Sequence, residues 1–168
     1  MFNVQFNAGE SREAIRRAIA ALEDMTPLFQ DVAEYMTEAT RQRFVTGTAP
    51  DGSKWPAKSQ VTLDRYKRLG YGNLSRVLIG PGKRLSREIV SEATKGGAVI
   101  GSALIYSSVM QDGAPRGAFG TNSRGRPIPW GAIPARTWLG ISSTDADQIV
   151  AIAEEHIAAS VDGAEKGR

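Results

Sequence analysis

The sequence predicts an α+β domain: N-terminal amphipathic helices, a small central antiparallel sheet with a long hairpin or loop arm, and a closing C-terminal helix. Three observations carry that reading. Apolar residues recur at helical spacing near both ends of the chain. Two short extended runs flank the turn "TKGG" in the middle. A Gly-, Pro- and Arg-rich stretch, residues 111–135, separates those runs from the last helical pattern.

Taken in order, "MFNVQF" alternates Phe2, Val4 and Phe6 with polar residues, the period of a half-buried strand. In "SREAIRRAIAALEDM", Ser11 suits a helix cap, and Ile15, Ala18, Ile19 and Leu22 form one stripe. Pro27 suits a first helical position, and Leu28, Val32, Tyr35, Met36 and Ala39 carry a second helix toward Phe44. Gly47, Pro50, Gly52 and Pro56 end helical order, "TLDRYKRL" suits a short helix, and residues 70–83 read as loop. "RLSREIVSEA" and "AVIGSALIY" read as a hairpin. The final helix follows Ser143 or Thr144 as cap, with Asp145 and Asp147 near its positive end. Ile149, Ile152, Ala153, Ile157 and Val161 are its expected buried face. Residues 1–162 are thus expected to form one domain with an arm at about 111–130, and residues 163–168 a frayed tail. No internal repeat is visible.

A chain of 168 residues can bury a real core. No apolar run approaches the roughly 20 residues that span a bilayer, so no membrane partner is expected. The first ten residues lack the pattern of a signal peptide, so folding in a cytoplasm from Met1 is expected. Absence of cysteine removes disulfides, thiolate nucleophiles and cysteine-ligated metal. Charge is uneven. Residues 41–95 hold 12 Lys+Arg against 4 Asp+Glu, and the remainder holds 9 against 14. A basic middle with acidic flanks suits a polyanion, or oppositely charged surfaces that pair between subunits.

Enzyme chemistry finds little support. The single histidine, His156, lies in the last helical pattern without the partners a triad or a metal site needs. "GPGKR" fails the phosphate-loop pattern, with Val77 where the first glycine belongs and Arg84 where Ser or Thr belongs. Glycines 113, 117 and 120 do not fit the dinucleotide spacing. A metal-dependent nuclease would have to use carboxylates such as Asp51 or Asp64. No catalytic residue, cofactor or metal ligand is expected.

Arg116, Arg124 and Arg126 sit among glycines on a chain able to project, with Trp130 close behind. Such an arm suits a phosphate backbone or a neighbouring subunit equally well. Trp55 and Trp138 lie in Pro/Gly contexts that favour a hydrophobic plug over a ligand platform. Arg136, between Pro134 and Trp138, is expected to donate charge-assisted hydrogen bonds to a carboxylate or to carbonyls. Trp55, Pro134, Arg136 and Trp138 would together latch the approach to the last helix.

Four segments, in order from Phe44 to His156, carry a resemblance. They are "GTAPDGSKWP" followed by Thr62, "VLIGPGKRLSREI", "VIGSALIYSSVMQDG" and "IPARTWLGISSTD". They resemble the phage virion morphogenesis family, the tail-completion or neck proteins of Mu-like and related tailed phages. The chain departs from the family pattern at Met110, where histidine is common, and at Thr137, where proline is common. The resemblance implies a structural protein of the virion's head–tail junction, without catalysis. By analogy it implies a ring, commonly hexameric, that ends the tail tube. Its implied partners are further copies of itself, the tail tube protein, a head–tail connector or head-completion protein, and packaged DNA in the lumen. The alternative class is a nucleic-acid-binding protein that grips DNA with the basic middle.

Overall fold

A computed structural model of the chain describes residues 8–162. The expected strand over residues 2–6 and the expected tail at 163–168 lie outside the described residues. Eight elements follow in order: α1 (Ala8–Glu23), α2 (Thr26–Thr46), α3 (Gln60–Arg68), α4 (Arg84–Arg87), β1 (Val90–Thr94), β2 (Gly97–Gly101), α5 (Ser107–Asp112) and α6 (Ser143–Asp162). The class is α+β.

Helix α2 is the spine. Pro27 stands in its first turn, where a missing N–H costs nothing. Gly47 ends it at φ 70°, donating its N–H to the Arg43 carbonyl at 2.7 Å, a left-handed cap that glycine adopts without a Cβ penalty. One side of α2 packs on the hairpin β1–β2, and α6 also packs on it, while α1 packs on α6. The hairpin is antiparallel, Val90 opposite Gly101 and Thr94 opposite Gly97.

The core gathers where α2 meets the loops. Phe44, Ala49, Trp55, Ile79, Leu85, Ile89, Leu104 and Trp138 form one buried cluster. Phe44 meets the Trp55 ring edge-on at 5.4 Å and the Trp138 ring at 5.9 Å. Trp138, 1% exposed, is the largest fully buried side chain. Removing its surface from water contributes at most about 4–6 kcal/mol.

Several expectations are corrected. Helix α1 begins at Ala8, so Ser11 lies inside it rather than capping it. Ile15, Ile19 and Leu22 of its apolar stripe are exposed, and the half-buried positions are Ala14, Arg17, Ala18 and Ala21. In α6, Ile149, Ile152 and Ala153 are half-buried as expected, but Ile157 and Val161 are exposed. The second extended run, expected over residues 98–106, stops at Gly101, and the chain turns through Leu104 into α5, a short helix for which the sequence gives no signal. Arg84–Arg87 is a helical turn, not the start of β1.

Candidate functional site

Four prolines break up the segment after α5. Pro115, Pro127, Pro129 and Pro134 cannot donate to a ladder, so no regular strand forms there. The segment nonetheless folds back on itself as an irregular hairpin. Ala114 and Ile133 exchange N–H···O bonds in both directions, at 2.9 and 2.7 Å. Further out, the Gly117 N–H reaches the Pro129 carbonyl, Phe119 reaches Ile128, and Ile128 reaches Gly120. At the tip the Asn122 carboxamide oxygen accepts the N–H groups of Arg124 (2.9 Å) and Arg126 (3.0 Å). Gly125, at φ 70°, closes that turn with an N–H to the Asn122 carbonyl. The arm is therefore a built hairpin of residues 114–133.

Arg116, Arg124 and Arg126 are exposed on it, and none takes part in an ion pair among the described residues. Phe119, Ile128 and Trp130 are exposed as well, Trp130 by 70%.

At the base of the arm the chain is fastened from three sides. The Arg136 N–H donates to the Met110 carbonyl at 2.9 Å. Its buried guanidinium donates from Nε to the Pro56 carbonyl (2.8 Å) and from a terminal nitrogen to the Ala57 carbonyl (3.0 Å). Of the two partner types expected, carbonyls alone serve it, and burial lowers its pKa. The Trp55 indole N–H donates to the Thr137 carbonyl at 2.8 Å. The Trp138 indole N–H reaches the Ser107 carbonyl at 3.2 Å. Pro134 is exposed at the rim of this junction.

Gln111, which the sequence did not single out, clamps the same strip. Its side-chain oxygen accepts the N–H groups of Trp138 (2.8 Å) and Leu139 (3.0 Å), and its amide nitrogen donates to the Leu139 carbonyl (3.0 Å). The last α5 turn is thereby tied to the strip after the arm. A strip of backbone carbonyl and N–H groups satisfied by one glutamine has no sequence signal.

Beside the arm's base lies a groove of about 560 Å³, lined by Lys58, Tyr66, Lys83, Arg84, Ile133, Pro134 and Arg136 among others. Every charged residue lining it is basic. Lys58 donates to the carbonyls of Leu74 and Ile79, both at 2.6 Å, and lies 4.9 Å over the Tyr66 ring. Burial, with the nearby Arg136, lowers its pKa.

Much of the basic middle is thus occupied internally. Lys58, Arg43 and Arg76 donate to protein carbonyls, Lys54 to the Thr46 carbonyl, and Arg84 pairs with Glu88. A continuous cationic grip on DNA would need those heads free. The carboxylates considered for nuclease chemistry lie apart in their roles. Asp51 accepts the Ser53 N–H, and the Ser53 side chain together with that N–H lowers its pKa, while Asp64 accepts from Gln60. No group of three or more His, Asp or Glu gathers among the described residues, and no helix among them is long and apolar enough to cross a membrane. His156 is half-buried in α6, its carbonyl accepting the Ser160 hydroxyl.

The family model described as the phage virion morphogenesis family matches residues 7–158. The match covers most of the chain, and the protein belongs to that family, whose role is in building the phage virion. No curated protein and no solved structure matches it.

Proposed function

We propose that this member of the phage virion morphogenesis family is a tail-completion protein of the head–tail joint, forming a ring that ends the tail tube and docks to the head connector. The observation that carries the reading is the hairpin arm. Its base is tied to the core through Arg136, Trp138 and Gln111, while its arginine side chains are exposed with no ion pair among the described residues, and Phe119, Ile128 and Trp130 are exposed beside them. A rigid base with an unpartnered tip is suited to holding another molecule in a fixed register.

Catalysis has no part in this scheme. Each subunit offers one surface to its neighbour and a different one to be met, and a closed set of such contacts is a ring. The ring stops growth of the tube by covering its end. Oppositely charged patches set register and speed encounter between subunits and with the connector. Tail tube protein, connector and the DNA passing through the lumen are the partners.

The test is a phage genome with this gene deleted. Electron microscopy of the lysate is expected to show filled heads and tail tubes accumulating apart, and complementation with the chain to join them. Joined, infectious particles without the protein would overturn the proposal.

A further inference from the structure

Helix α6 carries charge of one sign only. Residues 143–162 contain Asp145, Asp147, Glu154, Glu155 and Asp162, and no lysine or arginine. Asp145 is used internally by Arg43. Asp147, Val150, Glu154, Ile157 and Val161 all lie exposed, at spacings of three, four, three and four residues. That spacing puts them on one face, the side turned away from half-buried Ile149, Ile152, Ala153 and His156. The result is a solvent-facing seam of three aliphatic side chains interleaved with two carboxylates.

Such a seam selects its cover. Two α6 helices meeting seam to seam would bring the carboxylates of Asp147 and Glu154 into one apolar contact, where like charges are costly. The cover must be apolar and basic. The projecting arm of this protein has that composition. Between residues 113 and 135 the chain holds three arginines and no acid, and it exposes Phe119, Ile128 and Trp130. The dimensions agree. From Asp147 to Val161 a helix rises about 21 Å, and a hairpin arm from residue 114 to residue 122 extends at most about 26 Å.

We infer that the arm of one copy lies along the exposed seam of α6 on the next copy, with Phe119, Ile128 and Trp130 against Val150, Ile157 and Val161, and the arm arginines against Asp147 and Glu154. This rests on the ring proposed above and supplies its contact. The arm and α6 are different surfaces, so the contact is head-to-tail and repeats around the ring.

Charge reversal tests it. Variant one carries Arg124→Glu and Arg126→Glu; variant two carries Asp147→Lys and Glu154→Lys. All four side chains are exposed, so each variant is expected to keep the wild-type circular dichroism spectrum and melting temperature. Oligomeric state is read by analytical ultracentrifugation of the purified chain, and by electron microscopy of the chain added to tail tubes that lack it. Each variant alone is expected to lose the assembled species. The chain carrying all four changes is expected to regain it. In a mixture of the two variants, variant two's arm meets variant one's helix unaltered and variant one's arm meets variant two's helix with both charges reversed, so alternating copies are expected to regain the assembled species. Trp130→Ala, which leaves charge unchanged, is expected to weaken assembly as well. If the wild type assembles and both variants assemble equally well, the arm-to-helix contact is wrong while the ring stands. A dimer lost in variant two but intact in variant one would show α6 pairing with itself and overturn the inference. A wild type that stays monomeric both alone and on tubes would overturn the ring and this contact together.

Discussion

Arg43, on the buried face of α2, and Asp145, in the first turn of α6, form a buried ion pair across 102 residues of chain. Both side chains are satisfied beyond each other. Asp145 accepts the Ser142 N–H at 2.8 Å and the Tyr35 hydroxyl at 3.1 Å, and Arg43 donates to the Gly140 carbonyl at 2.8 Å. The Ser142 hydroxyl in turn accepts the Asp145 N–H at 3.1 Å, a reciprocal cap of α6. One carboxylate therefore starts the last helix and locks it to the spine.

Removing one partner strands the other in a dry site. Asp145→Asn is expected to cost about 3–5 kcal/mol in urea unfolding at neutral pH. Burial pushes the Asp145 pKa up, but the Ser142 hydrogen bonds, Arg43 and Tyr35 outweigh it, and the net direction is down. The unfolded chain therefore takes up this proton at higher pH than the folded one. Stability from this group is complete above about pH 4 and is lost as the pH falls through the folded value. The difference in stability between wild type and Asp145→Asn should shrink in acid; an unchanged gap would show that the pair does not carry it.

Arg136 is the second buried cation, and its partners are carbonyls alone. Arg136→Ala leaves the Pro56 and Ala57 carbonyls without their donor, and should cost about 2–4 kcal/mol by the usual worth of charged hydrogen bonds. Arg136→Lys lacks the fork that serves two carbonyls at once and should recover only part of that. Equal melting temperatures for all three proteins would remove Arg136 from the account of the junction.

Thr40 points the other way. It is wholly buried in α2, and its hydroxyl has no hydrogen-bond partner among the described residues. Thr40→Val keeps the shape and discards the unpaired group, so it is expected to hold stability or raise it by about 1 kcal/mol. A loss of that size would reveal a bond the hydroxyl does make.

These residues mark what could be read from the chain. Helix α2 was legible because Pro27 and Gly47 act locally, and so were Trp55 and Trp138 as core, because a large aromatic between prolines has few other places to go. The sequence points to Ser143 or Thr144 as the cap of α6, one or two residues past Ser142, whose hydroxyl accepts the Asp145 N–H. The pattern Ser142-x-x-Asp145 was available, but its reward depends on Arg43, which lies in a distant segment. Ile157 and Val161 continue the spacing of Ile149, Ile152 and Ala153, which predicts core, yet the fold leaves both exposed, because an apolar stripe does not specify how far along the helix its neighbours reach. The run through Leu104 read as strand because helix, strand and buried turn are equally apolar over so short a stretch.

Gly113 governs whether the arm is aimed. It sits at φ 76°, and a Cβ there would meet the Ala135 nitrogen and the Ile133 oxygen, both at 2.7 Å. Both are backbone atoms at the arm's base and cannot step aside singly. Gly120, at φ 82°, has open space around it. Each alanine substitution pays about 1–2 kcal/mol for the left-handed backbone, but only Gly113→Ala adds the clash. Gly113→Ala should be clearly the less stable of the two and faster in amide exchange at Ala114 and Ile133. Indistinguishable behaviour would mean the base can shift to admit a methyl group.

The tip can be tested apart from the fold. Arg124 and Arg126 bond to Asn122 through their backbone, by N–H groups to its side-chain oxygen and, for Arg126, a carbonyl to its N–H, and their side chains are exposed. Arg124→Ala with Arg126→Ala therefore keeps the turn, and the melting temperature should stay within about 0.5 kcal/mol equivalent of wild type, as for other surface changes. In a phage carrying both substitutions, infectious titre should fall while filled heads and tails are made in normal number. Stability and titre must separate for the arm to be a contact rather than a structural part. A full titre would show that the arginines contribute nothing to joining, and a fall in both together would place them in the fold.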